Sequence, residues 1–446
     1  MECRSPRGRL RSRRSSSSST ARCVRRFSHP RSDKGKRVKQ KAATIVLLPL
    51  ICGALNAQVK TGADLLFEKY FHLIEGKSVG LVTNHSGLLS NGKHLADALF
   101  EDKRVKLGAL FGPEHGIRGD APDGRSITHG ADAKTGVTVY SLYGSVNKPT
   151  EEMLTGIDVL IYDIQDVGVR FYTYTSTLSY TMEAAAEGKI PYIVLDRPNP
   201  IRGLWVEGFV REDSLRSFVG LHPVPIAYGM TVGELATMFN DEGWLKDGVR
   251  ASLTVIEMDG WRRTMWYDQT GVRWVKPSPN MPTLKTAVVY PGTCLIEGTN
   301  LSEGRGTDRP FEYLGAPFVD GKKWADALNA QGLSGVRFEP VEFTPQSIPN
   351  VTSRPKHEGK PCGGIFVRVT DRDTYEPVKV GVYILTTAKK LFADSLRWRE
   401  RSIDRLSGTP TLRMSIDAGV TPERIVSMWE GEVGRFKKIR QKYLLY

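Results

Sequence analysis

Apolar and polar positions along the chain change their period in a regular way from residue 62 onward. Short continuous apolar runs, of the length that buried strands have, lie at 78–83, 105–111, 158–162 and 191–195. Apolar residues recur at helical spacing in the neighbouring segments 64–73, 92–100, 151–154 and 172–187. Strands that alternate with helices in this way form a parallel sheet with right-handed crossovers. The pattern therefore predicts an α/β, doubly wound domain.

The pattern after residue 200 is less regular and predicts a second, smaller α+β domain. Helices are expected at 232–242, at 324–330 and near the C-terminus. Strands are expected at 253–257, 287–290, 336–343, 364–369 and 378–384. We divide the chain accordingly into a leader (1–57), the doubly wound domain (58–285) and the C-terminal α+β domain (286–446).

The positive charge of the chain is concentrated in the leader. Residues 1–57 hold 15 Lys and Arg against Glu2 and Asp33, so they carry +13 of the formal net charge of +14. The rest of the chain is close to neutral, which argues against a nucleic-acid partner. The Arg/Ser-rich tract before Lys34 has too few apolar residues to fold. Upstream sequence translated from an early start codon explains this tract better than a nucleic-acid-binding arm does.

The end of the leader has the order of a secretory signal. Basic residues at 34–41 precede an apolar run at 42–55, and the small residue Ala57 follows. The run is shorter than the roughly 20 residues that cross a bilayer, so we expect an exported, periplasmic or secreted protein without a stable membrane span in the mature chain. Ile51 before Cys52 does not fit a lipoprotein signal. Removal of the leader leaves Cys294 and Cys362, which either pair or stay free.

The sequence lacks the motifs of several common kinds of active site. Residues 87–94 resemble a phosphate-binding loop, but the last position is His94, which has no hydroxyl group for a magnesium ion. No Gly-x-Gly-x-x-Gly follows the first strand, no His/Cys cluster has metal-ligand spacing, and Gly-x-Ser-x-Gly is absent. We therefore expect no metal and no nucleotide cofactor, and paired carboxylates remain as the available chemistry.

Polar residues follow four of the predicted strands, at 83–87, 112–116, 163–166 and 196–199. Because ligands of open α/β sheets bind beyond the carboxyl ends of the strands, we expect these exits to meet in one crevice. The candidate binding side chains are Asn84, His85, His115, Arg118, Asp163, Gln165, Asp166, Arg170, Tyr172 and Asn199. A structural ion pair between Asp163 and Arg170 is an alternative. The aromatic rings of Tyr172, Tyr174, Trp205, Trp266 and Trp274 either stack on a sugar or belong to the core.

Two groups of carboxylates are candidates for catalysis. Glu114 lies in a Gly-Pro-Glu-His-Gly turn, where a packed carboxyl can have a raised pKa and act as an acid. Its alternative role is a turn carboxylate bonded to the local backbone. The Gly-rich segment 297–308 contains Glu297 and Glu303 as possible partners, and Arg305 as a bidentate ligand for an anionic substrate. This segment is alternatively a structural loop.

With these residues in view, the chain resembles the exo-β-N-acetylmuramidase NamZ family, also known as DUF1343. The likeness covers about residues 60–446 and rests on long motifs in one order, at 80–87, 111–119, 162–174, 196–200, 276–282, 290–292 and 297–306. The leader lies outside it.

The resemblance implies a Rossmann-like domain, a second domain and an active-site cleft between them. It also implies release of N-acetylmuramic acid from the non-reducing ends of peptidoglycan fragments, so that peptidoglycan-derived disaccharides or glycan chains are the expected partners. Glu114 then corresponds to the leading acid/base, and Glu297 or Glu303 to its partner. Arg305 or Arg118 is expected to bind the lactyl carboxylate, and Asn280 and Asn300 extend the expected binding site. A periplasmic muropeptide- or sugar-binding protein without turnover is the alternative.

Overall fold

A computed structural model of the chain describes residues 58–119 and 130–446. The leader and its predicted export signal lie outside the described residues. The larger sheet contains strands β1 (Ser78–Thr83), β2 (Lys106–Gly112), β3 (Gly130–Ala131), β4 (Thr138–Ser141), β5 (Val159–Asp163), β6 (Tyr192–Leu195) and β7 (Leu253–Ile256). Its strand order is β3-β4-β2-β1-β5-β6-β7. All neighbouring strands are parallel except β3 and β4.

The order of the parallel strands confirms the doubly wound, Rossmann-like prediction. The chain runs outward from β1 through β2 to β4, and then starts again beside β1 with β5, β6 and β7. This reversal places a crevice beyond the carboxyl ends of β1 and β5. The strands at the centre are buried on both faces, which explains why their sequences are continuous apolar runs.

The helices of this part of the chain begin where the sequence supplies capping side chains. They are α1 (Gly62–Glu68), α2 (Leu95–Glu101), α3 (Tyr174–Glu187) and α4 (Val232–Asp241). Thr61 and Thr231 each form a capping box with the acidic residue three positions later. His94, at the position where a phosphate-binding loop needs a hydroxyl group, instead caps α2 by accepting a hydrogen bond from Ala96 N.

The second part of the chain contains a small antiparallel sheet of β8 (Tyr313–Ala316), β9 (Val336–Phe343) and β10 (Cys362–Val369), in the order β8-β10-β9. Its helices are α5 (Leu284–Thr293), α6 (Gly321–Asn329), α7 (Pro377–Leu391), α8 (Glu400–Ser407), α9 (Thr411–Asp417), α10 (Pro422–Met428) and α11 (Glu430–Arg440). Among the described residues, the largest of three apolar core clusters contains buried side chains from both parts. No helix among residues 58–119 and 130–446 is long and apolar enough to cross a membrane.

Two predicted strands, 287–290 and 378–384, are wrong, because both segments belong to buried helices. They lie inside α5 and α7, whose apolar residues face the protein on most sides. Runs of four to seven mostly apolar residues cannot be distinguished as strand or helix by their period, and their valines favour a strand prediction. The two helices cross at Gly292 and Gly381, where a Cβ atom on Gly292 would lie 1.9 Å from the carbonyl oxygen of Pro377.

Candidate active site

A cavity that contains Glu114 is formed by residues from both parts of the chain. It encloses about 750 Å³ including its open mouth. Its lining residues are Glu114, His115, Tyr143, Phe171, Tyr172, Thr173, Tyr174, Val219, Ser278, Met281, Tyr290, Cys294, Glu297, Arg305, Phe311 and Leu406. Two carboxylates, one guanidinium group and several aromatic rings therefore share one concave surface.

Glu114 reaches the cavity because β2 ends in a tight turn. The N–H of Gly116 donates to the carbonyl oxygen of Pro113 at 3.0 Å, and His115 adopts the left-handed backbone conformation with φ 74°. The Glu114 side chain is half-buried, and the hydroxyl group of Thr173 donates to its Oε2 atom at 3.3 Å. This contact joins the exit of β2 to the start of α3.

The second carboxylate of the cavity is Glu297, which lies in a 3-10 helix directly after α5. Nη2 of Arg305 is 2.8 Å from its Oε1 atom, and Nε is 3.3 Å from the same atom. Nε of Arg305 is also 3.5 Å from Oε1 of Glu303, so the guanidinium group lies between two carboxylates. The Arg305 guanidinium carbon is 5.1 Å from the centre of the Phe311 ring.

Glu303 lies behind the cavity and is 4% exposed. Burial alone would raise its pKa, but the charges of Lys356 and Arg305 outweigh burial and hold the pKa below its usual value. Nζ of Lys356 is 3.0 Å from Oε2 of Glu303. Because Glu303 is held in the ionised form and does not line the cavity, it is poorly suited to donate a proton to a substrate.

Aromatic side chains form one wall of the cavity. Tyr172 packs edge-to-face on Tyr174 and on Tyr290, with ring centres 4.9 Å and 5.9 Å apart. Phe311, whose φ is 63°, packs edge-to-face on Tyr290 at 4.7 Å. The hydroxyl group of Tyr174 donates to the carbonyl oxygen of Pro277 at 2.6 Å. The wall is therefore an apolar surface of the kind on which sugar rings stack.

Asp163 has a structural role and does not pair with Arg170. Its two carboxylate oxygens accept from Nε and Nη2 of Arg197, at 2.5 Å and 2.9 Å, and both side chains are buried. Arg170 donates instead to the carbonyl oxygens of Phe209, Val224 and Leu406. Burial and the nearby Arg211 lower the pKa of Arg170 to about 9. The predicted Asp163–Arg170 ion pair is wrong because the chain brings a different arginine to the end of β5.

Other predicted binding residues at the strand exits are engaged inside the protein. Oδ1 of Asn84 accepts from the N–H and the hydroxyl group of Ser86. Nε2 of His85 is 2.7 Å from the carbonyl oxygen of Lys276, and burial lowers the pKa of His85. Gly119 packs on the His85 ring so closely that a Cβ atom on Gly119 would lie 2.4 Å from Cγ of His85. Burial raises the pKa of Asp166 to about 6, and Asp166 accepts from the hydroxyl group of Tyr228.

Arg118 lies in an ion-pair cluster outside the cavity. Its Nε and Nη2 atoms donate to Asp132 at 2.9 Å and 2.7 Å, and Nη2 also donates to Asp97 at 2.9 Å. The hydrogen bonds that Arg118 donates to Asp132 and Asp97 raise the pKa of Arg118. The hydrogen bonds that Asp132 accepts from Arg118 lower the pKa of Asp132. Of the two arginines expected to meet a substrate carboxylate, the cavity contains Arg305.

The side chains of the predicted asparagines donate hydrogen bonds to backbone carbonyl groups. Nδ2 of Asn199 donates to the carbonyl oxygen of Met230, and Nδ2 of Asn300 donates to that of Ser395. Asn280 donates to the carbonyl oxygen of Val351 at 3.2 Å and lies in the sequence between two cavity-lining residues, Ser278 and Met281.

Trp205 and Trp266 are buried and pack edge-to-face on each other. Trp274 packs on Tyr267 in the same way.

The four strand exits do not meet in one crevice. Glu114, His115 and Tyr172 line the cavity described above, whereas Ser86, Gln165 and Arg197 line a second, smaller cavity beyond β1 and β5. Nε2 of Gln165 donates to the carbonyl oxygens of Asp166 and Pro198.

The two cysteines of the described residues, Cys294 and Cys362, are both buried and do not form a disulfide.

Some residues of the site do not appear among the sequence-based candidates. Tyr290 and Thr173 lie in motifs that carry the family resemblance, so those motifs were the signal that pointed to them. Phe311 and Lys356 have no such signal, because their roles depend on contacts with residues distant in the sequence.

The architecture recurs in solved structures of DUF1343 proteins. Two crystal structures of DUF1343 family proteins from Bacteroides fragilis NCTC 9343 align with TM-scores of 0.80 and 0.73, at 39% and 35% sequence identity. Each alignment covers 87% of this chain and 99% of the solved chain. The fold therefore places the chain in the DUF1343 class of two-part α/β proteins.

Sequence comparison gives the family of the chain. The N-terminal domain of exo-β-N-acetylmuramidase NamZ matches residues 79–285, and the C-terminal domain matches residues 288–446. The peptidoglycan β-N-acetylmuramidase NamZ of Bacillus subtilis strain 168 is 46% identical over 394 residues, which cover 88% of this chain and 92% of that protein. The chain belongs to the exo-β-N-acetylmuramidase NamZ family of glycoside hydrolases.

Proposed function

We propose that this chain releases N-acetylmuramic acid from the non-reducing ends of peptidoglycan fragments by acid/base catalysis with Glu114 and Glu297. The observation that carries the proposal is that these two carboxylates line one cavity, which also contains an arginine and an aromatic wall. Most glycoside hydrolases act with such a carboxyl pair on the two sides of the scissile bond. Peptidoglycan as the substrate follows from the named activity of the Bacillus subtilis relative.

The two carboxylates are assigned different roles. Glu114, whose Oε2 atom accepts from the hydroxyl group of Thr173, contributes the proton that the leaving oxygen needs. Glu297 faces the guanidinium group of Arg305 at 2.8 Å and acts as the carboxylate that stabilises the oxocarbenium-like transition state. The bond between the anomeric carbon and the leaving oxygen breaks, the hydroxyl group of a water molecule bonds to the anomeric carbon, and the remaining proton of the water returns to Glu114 and restores the acid.

The cavity also offers contacts for the sugar itself. Tyr172, Tyr290 and Phe311 provide an apolar surface for the ring. Arg305 lines the same cavity and is assigned to the lactyl carboxylate of N-acetylmuramic acid, because a guanidinium group can bind a carboxylate through two N–H groups. This contact distinguishes a muramide from a glucosaminide, which lacks the lactyl group.

A test of the proposal compares a chromogenic β-N-acetylmuramide with its β-N-acetylglucosaminide analogue on the wild-type protein. We expect hydrolysis of the muramide, and a fall in kcat of at least about 100-fold in both Glu114→Gln and Glu297→Gln. Glu303→Gln should lose less activity than Glu297→Gln, because Glu303 lies outside the cavity.

Failure of the wild-type protein to hydrolyse the muramide, together with tight binding of it, would favour the alternative of a muropeptide- or sugar-binding protein. Full activity in Glu114→Gln would overturn the assignment of the acid. A larger loss in Glu303→Gln than in Glu297→Gln would exchange the roles of these two residues.

We further propose that the chain is exported and cleaved after Ala57. The order of basic, apolar and small residues in the leader supports this. Cleavage there would leave Gln58 as the first residue, next to Val59, which is fully buried and donates its N–H to the carbonyl oxygen of Thr270. Mass spectrometry of the protein recovered from a bacterial periplasm or medium should show a mature chain that starts at Gln58. A chain that retains the leader would contradict the proposal.

A further inference from the structure

Lys356 reaches the acidic segment behind the cavity from a distant part of the chain. Its Nζ atom is 3.0 Å from Oε2 of Glu303. It also donates to the carbonyl oxygens of Ile296, Glu297 and Leu301, at 3.2 Å, 3.3 Å and 2.9 Å. The side chain is 18% exposed, so its ammonium group is largely removed from water and depends on these oxygens. It therefore anchors the segment that carries Glu297.

Lys356 is one end of a row of alternating charges. Glu303 follows at 3.0 Å from Lys356, Arg305 at 3.5 Å from Glu303, and Glu297 at 2.8 Å from Arg305. The row leads from the interior to the cavity, which only its last two members line. Removal of the charge at the inner end leaves Glu303 with Arg305 as its remaining cationic partner in this row. The guanidinium group would then be drawn toward Glu303 and away from Glu297.

The segment around Lys356 holds the same loop at further points. Nε2 of the next residue, His357, is 2.7 Å from the carbonyl oxygen of Asn300. The N–H of Gln346 donates to the carbonyl oxygen of Gly306 at 2.9 Å. The backbone is thus fixed on both sides of Glu303, and the Arg305 guanidinium group lies between the carboxylates of Glu297 and Glu303.

We propose that Lys356 is a positioning residue for Glu297, which it holds in place through Glu303 and Arg305. The inference rests on the proposed function, since it assumes that Glu297 is a catalytic carboxylate. Lys356 itself does not line the cavity, so it acts on the reaction through the charge row and through the carbonyl oxygens that it holds, and a Gln side chain, which can still donate to those oxygens, separates the two.

The test uses Lys356→Gln, in which the amide retains N–H donors for the carbonyl oxygens but has no charge. We expect kcat for the muramide to fall about 10- to 100-fold, as a small displacement of a catalytic group does, with KM changed less than about threefold. In a Glu303→Gln background the same substitution should change kcat less than about threefold, because the carboxylate that requires the charge is gone.

A matched control is Lys389→Gln. Lys389 pairs with Asp417 at 2.9 Å and is 28% exposed, but neither residue lines the cavity. Its kcat should stay at the wild-type value. An unchanged kcat in folded Lys356→Gln, a rise in KM alone, an equal loss in Lys389→Gln, or losses that multiply in the double variant would each overturn the inference.

Folding is checked by circular dichroism and thermal unfolding. If Lys356→Gln alone does not fold, the comparison of Glu303→Gln with the double variant decides the question: similar kcat values support the charge row, and a further tenfold fall contradicts it. Failure of the underlying function has a different signature. In that case the wild-type protein would not hydrolyse the muramide, or Glu297→Gln would retain full activity.

Discussion

The hydroxyl group of Thr173 donates a hydrogen bond to Oε2 of Glu114 across 3.3 Å. The two residues are 59 positions apart in the sequence and come from the exits of different strands, β2 and β5. The contact joins the carboxyl group to a cavity that Glu297 and Arg305 also line. The position of the Glu114 carboxyl group therefore depends on both the turn after β2 and the segment before α3.

Replacement of Thr173 by Val should lower kcat/KM for a β-N-acetylmuramide about 3- to 10-fold. The loss corresponds to one neutral hydrogen bond, because Val has a similar shape but no hydroxyl group. Steady-state kinetics measure the effect. Thr173→Ser keeps the hydroxyl group and serves as the control, with activity close to wild type. Equal losses in both variants would mean that packing at this position matters and the hydrogen bond does not.

Arg197→Met should destabilise the protein by about 3–5 kcal/mol, because it leaves the buried carboxylate of Asp163 without its partner. Urea unfolding followed by circular dichroism measures this. The double variant Asp163→Asn/Arg197→Met should recover part of the loss, since no unpaired charge remains. Lys322→Met, which breaks the exposed pair with Asp326, should leave the midpoint nearly unchanged. A midpoint close to wild type in Arg197→Met would contradict the structural role of the pair.

The buried His222 should make the protein less stable in acid. Burial, with the charges of Arg216 and Arg211, lowers the pKa of His222 from 6.5 to about 3. Between these two values the unfolded chain binds a proton that the folded chain does not, so the stability contributed above pH 6.5 is lost as the pH falls. The loss is about 1.4 kcal/mol for each pH unit.

The comparison of His222→Gln with wild type isolates this contribution. Thermal unfolding of both proteins at pH 7.5 and pH 5 should show a smaller loss of Tm in the variant. Gln retains a polar group for the hydroxyl group of Ser179, which lies 2.8 Å from Nε2 of His222. The same acid sensitivity in both proteins would show that other groups control it.

The two cysteines of the described residues should react with a thiol reagent only after unfolding. Both are buried and free, and burial raises the pKa of both thiols, that of Cys362 to about 11. Titration with Ellman's reagent should detect no fast-reacting thiol in the native chain processed after Ala57, and two thiols in urea. Addition of a reductant should leave Tm unchanged. A Tm that falls with the reductant would indicate a disulfide.

The local pattern of the chain was sufficient for the doubly wound sheet. Strand β1 was predicted with its observed bounds, and β2, β5 and β6 to within one residue, because continuous apolar runs between helices have few alternatives in an α/β fold. The same reasoning failed for α5 and α7, whose segments 287–290 and 378–384 are short runs rich in valine. Their helical form depends on packing against each other at Gly292 and Gly381, and no local period records that contact.

For the site, the sequence by itself determined that Glu114 lies at a strand exit and that an acidic, Gly-rich segment, 297–308, accompanies it. Only the tertiary structure decided which side chains meet. It paired Asp163 with Arg197, enclosed Arg118 among aspartates, and placed Lys356 behind Glu303. The physical reason is that the period of apolar residues reports only the burial of a single helix or strand. The partner of a buried charge is set by packing between segments that are distant in the sequence, and the pattern of one segment does not specify the other.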